Sequence, residues 1–416
     1  MRMKMKKLIA MLLAVVLAFA MTVTVGCASD DPEPAPVVEE EPAEEPAEEP
    51  ADEPAEEPAD EPAEEPAEAP AGDLDFWLNF RFDPADIPQE KLDTEVHLAV
   101  SVRGLDNPYI VTKIEGMYMF SEFLDSIGQA HTTQVLDSGG VNAVEIDNMR
   151  AFAALAGGNA LAYSDPNESA IAPALAEAIA EAGGFIGTAW NKPDDVGPQD
   201  FDPYWVIHTS ADNISGGYAT ARALFEFMGG EGYIFVIEGM LGNTASIDRV
   251  RGLEMALAEF PGITVAHQDT GNWSTSEALD LVETWLTVTP DVGGIWCAND
   301  SMAAGALQAL ESAGLDGEVG LTGIDATLDI VAEVAAGRVV ATVSSNGFLQ
   351  SGYTLAIAYA AWVGFINPVE LPPELRVFLT PAMLVTSDNI DEFIATYVDA
   401  APEFDFTHIF YGYVGN

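Results

Sequence analysis

The chain has 416 residues, with 68 acidic against 15 basic side chains, a formal net charge of −53, and two cysteines. An acidic excess of this size excludes nucleic acid as a partner, because a polyphosphate would meet a field of its own sign. Two cysteines far apart, Cys27 and Cys297, exclude a disulfide framework, and Cys297 sits in an apolar run that reads as a buried strand.

Residues 1–27 read as an export signal. Arg2, Lys4, Lys6 and Lys7 supply a basic start, and Leu8 to Ala20 form an apolar run too short to serve as a mature membrane span. Thr24-Val25-Gly26-Cys27 follows and resembles the bacterial lipobox, in which the cysteine is lipidated and becomes the new N-terminus; Thr24 stands where leucine is usual. The expectation is a lipid anchor on Cys27, with plain secretory cleavage nearby as the alternative. Residues 28–73 repeat Glu-Glu-Pro-Ala, with 20 acidic and no basic residues from Asp30 to Asp73. Such a segment has nothing to bury and reads as a disordered, self-repelling tether. Residues 74–416 remain acidic, with 48 acids against 11 bases, and exceed the usual size of a single core, which predicts two lobes.

Beyond the tether, short β-rich runs alternate with helical patterns. Val96 to Val102 reads as a strand. Pro108 to Ile127 reads as a helix, with Ile110, Ile114, Met117, Leu124 and Ile127 at helical spacing and Asn107-Pro108 as its cap and first turn. Strands follow at 132–136, 160–164 and 184–189, separated by helices near 142–156 and 168–182. A second series starts after a strand at 205–209, with helices at 214–227, 244–259, 275–287, 301–313 and 328–336. Its strands fall at 233–238, 264–269, 294–298, 319–323 and 339–343. Strands separated by helices of this length predict βαβ units and parallel sheets. The fold class is therefore α/β, with two lobes, each a parallel sheet flanked by helices.

In open parallel sheets ligands sit beyond the carboxyl ends of the strands. The polar and aromatic residues there are Arg103, Asn107, Trp190, Arg249, Trp273, Asn299, Asp325, Ser345 and Asn346. Planar Asn, Asp and Arg groups suit vicinal hydroxyls, and aromatic rings cover the C–H faces of a sugar. Other readings stand beside these. Asn107 and Asp300 also read as helix caps, Arg251 as a structural ion-pair partner, and Trp190 and Trp273 as core aromatics. Arg103, at the end of the first strand, points either to an anionic group on the ligand or to a pairing with a surface acid.

Asp106-Asn107-Pro108-Tyr109, Asp248-Arg249-Val250-Arg251-Gly252, Asn299-Asp300-Ser301-Met302-Ala303-Ala304-Gly305 and Thr322-Gly323-Ile324-Asp325 occur in this order. Together they resemble the ribose-binding-protein type of periplasmic sugar-binding proteins, the type I solute-binding proteins of ABC importers, over roughly 94–390. The resemblance implies a lobe made of 94–210 with 346–372, a second made of 211–345 with 373–390, and a C-terminal extension over 391–416. Crossovers are expected near 208–213, 343–347 and 370–382. It further implies closure around a sugar or sugar-like ligand held by Asn107 and Tyr109 from the first lobe and Arg249, Trp273, Asn299 and Asp325 from the second, delivery to an ABC permease, and an extracytoplasmic, monomeric, lipid-anchored protein without cofactor or metal. Two departures stand out: Ala189-Trp190-Asn191 replaces the family's Asp-Arg pair, and Ser345-Asn346 replaces its last hinge glutamine. Nucleophile elbows, phosphate loops and zinc-protease motifs do not occur, so an enzyme is not expected. A ligand-sensing module for a chemoreceptor or kinase, and a non-sugar or anionic solute, are the alternatives.

Overall fold

The computed structural model describes residues 73–105, 107–345, 347–380, 383–398 and 404–410. Cys27 and Asn346 lie outside the described residues. The first lobe is built from β1 (Val96–Val102), α1 (Pro108–Ile127), β2 (His131–Asp137), α2 (Asn142–Ala156), β3 (Ala160–Ser164), α3 (Ala172–Ala182), β4 (Phe185–Ala189) and β5 (Trp205–Ala211). The second continues through α4 (Asn213–Phe227), β6 (Glu231–Glu238), α5 (Thr244–Glu259), β7 (Gly262–Thr270), α6 (Thr275–Val288) and β8 (Gly294–Cys297). It ends with α7 (Asp300–Ala313), β9 (Gly320–Thr322), α8 (Leu328–Ala335) and β10 (Ala341–Ser344). The chain then returns as α9 (Gly347–Val363) and β11 (Val377–Thr380), and crosses again to β12 (Met383–Thr386).

The sheets run β11-β5-β4-β3-β1-β2 and β12-β10-β9-β8-β6-β7. Every pairing is parallel except β10 with β12, which is antiparallel. This is the two-lobed α/β architecture expected from the sequence, with one antiparallel edge added. The central strands are buried on both faces, as β1 and β3 show along their whole length apart from His97, which is why they read as continuous apolar runs. Helix α1 starts where Asn107 Oδ1 accepts the Tyr109 N–H at 2.9 Å, with Pro108 in the first turn, and stops at Gly128 in the left-handed conformation.

Sequence reasoning misses α9, and for a physical reason. Leu355 to Ala360 are all buried, so this helix has no polar face and no 3.6-residue alternation to detect. It packs on α1 and across β3 and β4. The chain also stays with the first sheet longer than the change at 373 expected from sequence: β11 pairs with β5, Val377 opposite His208 and Thr380 opposite Ala211.

Both terminal segments join the first lobe. Trp77, Phe82 and Ile87 enter its core together with Phe406, Ile409 and Phe410. Phe82 N donates to Thr407 O at 3.2 Å, and the Phe406 ring meets Phe120 edge-on at 5.3 Å. Residues on both sides of the 94–390 span expected from sequence thus pack into this lobe.

Candidate functional site

Loops at the carboxyl ends of the two sheets meet around a cleft with about 330 Å³ of free space, part of it open to solvent. Eight of the ten residues singled out from sequence line it: Arg103, Asn107, Tyr109, Trp190, Arg249, Trp273, Asn299 and Asp325. Ser345 is buried at the crossover after β10 and is not among the lining residues. Sequence reasoning misses Lys113, Asn243, Asp165 and Gln350. Only the spacing of Lys113 gave a signal, since it shares the inner face of α1 with Ile110 and Met117.

Each cation of the cleft has an acid of the protein beside it, three cations against two acids. Arg103 donates to Asp165 Oδ2 at 3.1 Å, and Lys113 Nζ lies 2.5 Å from the same oxygen. Arg103 therefore pairs with a fully buried acid at the end of β3, rather than with a surface acid. Across the cleft Arg249 donates to Asn213 Oδ1 at 3.0 Å and to Ala298 O at 2.6 Å, and stands 3.5 Å from Asp325 Oδ1. Burial pulls the Lys113 pKa down to about 8, with Asp165 opposing it. Burial alone would raise the Asp165 pKa, but the charges of Lys113 and Arg103 outweigh it and hold the carboxyl below its ordinary value.

Aromatic rings wall the same space. The Arg249 guanidinium lies 5.2 Å from the Trp190 ring and 5.5 Å from the Trp273 ring. Tyr109 meets Trp190 edge-on at 5.7 Å. Gln350, on α9, fixes both: its Oε1 accepts from Tyr109 Oη at 3.1 Å and from Trp190 Nε1 at 2.8 Å. The Trp273 indole lies against Gly239, where a Cβ would sit 2.1 Å from the ring, so only glycine leaves room for it. Among the described residues, all five non-glycine positions with positive φ belong to the cleft loops: Trp190, Asn272, Trp273, Asp325 and Ala326. Such backbone costs on the order of 1–3 kcal/mol per residue and collects where a fold positions ligand groups.

Three asparagines, Asn107, Asn243 and Asn299, cap α1, α5 and α7 from the cleft wall, spending their Oδ1 atoms on the helix N–H groups. The cap of α7 is thus Asn299 and not Asp300. Asp300 is buried and accepts from Thr327 N at 2.8 Å, Thr327 Oγ1 at 3.2 Å and Thr342 Oγ1 at 2.8 Å, which fixes the loop carrying Asp325. Burial and the neighbouring Asp325 charge push its pKa up. Arg251 pairs with Asp248 on the surface of α5.

The lobes touch directly beside the cleft. Thr244 N donates to Asn191 Oδ1 at 3.0 Å, Ser169 Oγ meets Thr244 Oγ1 at 2.5 Å, and Asn243 Nδ2 reaches Asn167 O at 3.4 Å. All three bonds join loops that follow β3, β4 and β6.

The family model described as the periplasmic binding protein domain matches residues 98–364. A Xylitol-binding protein of Mycolicibacterium smegmatis is 34% identical over 194 residues, 46% of this chain and 53% of that protein, so the match spans about half of it. A Ribose import binding protein of Haemophilus influenzae is 27% identical over 283 residues, 67% of this chain and 90% of that protein. Among solved structures, a twin-arginine translocation pathway signal protein from Burkholderia phytofirmans superposes with a TM-score of 0.73 at 33% identity. That match covers 77% of this chain and 98% of the other. The Caulobacter myo-inositol binding protein bound to myo-inositol gives 0.61 at 29% identity, covering 72% and 96%. Two doubly wound lobes, a cleft at their strand ends and a family match over most of the folded part agree: the chain belongs to the periplasmic binding protein domain family.

Proposed function

We propose that this protein captures a neutral polyhydroxylated ligand, a sugar or polyol, between its lobes and delivers it to an ABC importer. The observation that carries the reading is the set of uncharged donors left open between the aromatic walls of the cleft. Arg103 and Lys113 share Asp165, and Arg249 faces Asp325, so each cation of the cleft already has an acid of the protein beside it. What remains is a surplus of uncharged hydrogen-bonding capacity between aromatic faces. The buried Nε1 of Trp273 and Nε2 of Gln350 have no partner among the described residues, and hydroxyl groups answer both donors and acceptors. The relatives named for ribose, xylitol and myo-inositol support the same class.

Ligand contacts would come from Asn107, Tyr109 and Trp190 on one lobe and Arg249, Trp273, Asn299 and Asp325 on the other. Such contacts are complete only when the lobes are closed, so binding shifts the population towards closure. Binding rather than turnover fits the site, because Asp300, the carboxyl neighbouring Asp325, is occupied by three donors from Thr327 and Thr342. The family implies an extracytoplasmic location. Lipidation of Cys27 and an extended spacer over 28–73 would hold the lobes near a membrane.

A thermal-shift screen tests the reading. D-ribose, D-allose, xylitol and myo-inositol are compared with gluconate and glucuronate, since a ligand of the native state raises the melting temperature by mass action. A shift with a neutral polyol supports the proposal, and shifts confined to the sugar acids refute it.

A further inference from the structure

Lys113 sits in the second turn of α1, is 1% exposed, and lines the cleft. Its ammonium has three donors and, among the described residues, one hydrogen-bond acceptor, Asp165 Oδ2. The rings of Tyr109 and Trp190, 4.8 and 5.3 Å away, favour the charge without accepting a conventional hydrogen bond. Asp165 is completely buried, takes Lys113 and Arg103 on one oxygen, and leaves Oδ1 without a donor. Arg103 Nε is also buried without a partner.

An ion pair with this many open positions is a poor structural element, and an apolar side chain would fill the same face of α1 at lower cost. The cost falls if the cleft supplies an oxygen to the ammonium. On the polyol reading of the cleft, that oxygen belongs to a ligand hydroxyl.

Resting on the polyol reading of the cleft, we infer that Lys113 is a specificity-determining ligand contact. Held in place by Asp165, it donates to the oxygen of one particular ligand hydroxyl, and polyols without an oxygen at that place are discriminated against. Asp165 is the positioning residue of the pair.

The test compares the wild-type chain with Lys113→Met, in which Arg103 remains as the partner of Asp165, and with Lys113→Gln, which keeps a neutral donor. Titration calorimetry uses D-ribose, D-allose, xylitol and myo-inositol. Both variants are expected to melt as folded proteins, and Lys113→Met to bind the preferred polyol roughly 10- to 100-fold more weakly, the range for loss of a hydrogen bond to a charged group. The spread of affinities across the four probes is expected to narrow, because the preferred ligand loses most. Equal losses for all four, or none, overturn the inference while leaving the polyol reading intact. No binding of any of the four by the wild-type chain overturns the polyol reading, and this inference with it.

Discussion

Replacing Arg249 by Met separates what the cleft needs for folding from what it needs for binding. Arg249 is 3% exposed and holds Asn213, the Ala298 carbonyl and Asp325 at once. Removing it leaves Asp325 as a buried acid without its counterion and in the field of Asp300. Breaking a buried pair from one side costs about 3–5 kcal/mol, most of it the uncompensated charge. Adding Asp325→Asn removes that charge, so the double variant is expected to recover most of the loss. Neither variant should bind ligand as the wild type does, since both lack the guanidinium between Trp190 and Trp273. Urea unfolding followed by far-ultraviolet circular dichroism measures the stabilities. The reasoning fails if Arg249→Met is as stable as the wild type, or if the double variant is no more stable than the single one.

Three further outcomes follow from named contacts. A Cβ on Gly217 would stand 2.1 Å from the Arg249 carbonyl oxygen, so Gly217→Ala should cost about 1–3 kcal/mol and weaken ligand binding by displacing α5; an unchanged melting temperature would contradict this. Burial raises the Glu145 pKa to about 7, so between about 4.5 and 7 the native state binds more protons than the unfolded chain and stability declines as pH rises, levelling off above 7. In Glu145→Gln that decline should shrink by up to about 3 kcal/mol, read as a flatter plot of melting temperature against pH. Deleting residues 404–416 removes the buried Phe406, Ile409 and Phe410, worth roughly 1.5–3 kcal/mol each, and should lower the melting temperature while leaving ligand affinity unchanged in calorimetry.

Much of this molecule is legible in its sequence because its strands are short, apolar and separated by amphipathic helices. The spans read for β1, β3, α2 and α5 coincide with those in the structure. The rule that ligand groups follow strand ends is enough to gather Arg103, Trp190, Trp273, Asn299 and Asp325 from distant segments. What stays hidden has identifiable causes. Helix α9 lacks a polar face, and β11 and β12 are four-residue edge strands whose pairing is set by tertiary context. Lys113 reads as a surface residue until its place on the apolar face of α1 is taken seriously. Asp165 follows a strand, but nothing local distinguishes it from the other acids of an acidic chain. Asp300 and Asn299 are adjacent candidates for one cap, and only the threonines at 327 and 342 decide between them. The positive φ angles of Trp190, Trp273 and Asp325 carry no glycine or Asn-Gly signature to announce them.

The central claim is that the cleft takes one neutral polyol between its two lobes, and calorimetric titration of the purified chain with D-ribose, D-allose, xylitol and myo-inositol tests it most directly. The account predicts saturable binding of at least one of them at one site per chain, abolished in Asn299→Ala/Asp325→Ala. Absence of binding by all four, or binding that this double variant leaves unchanged, would contradict it.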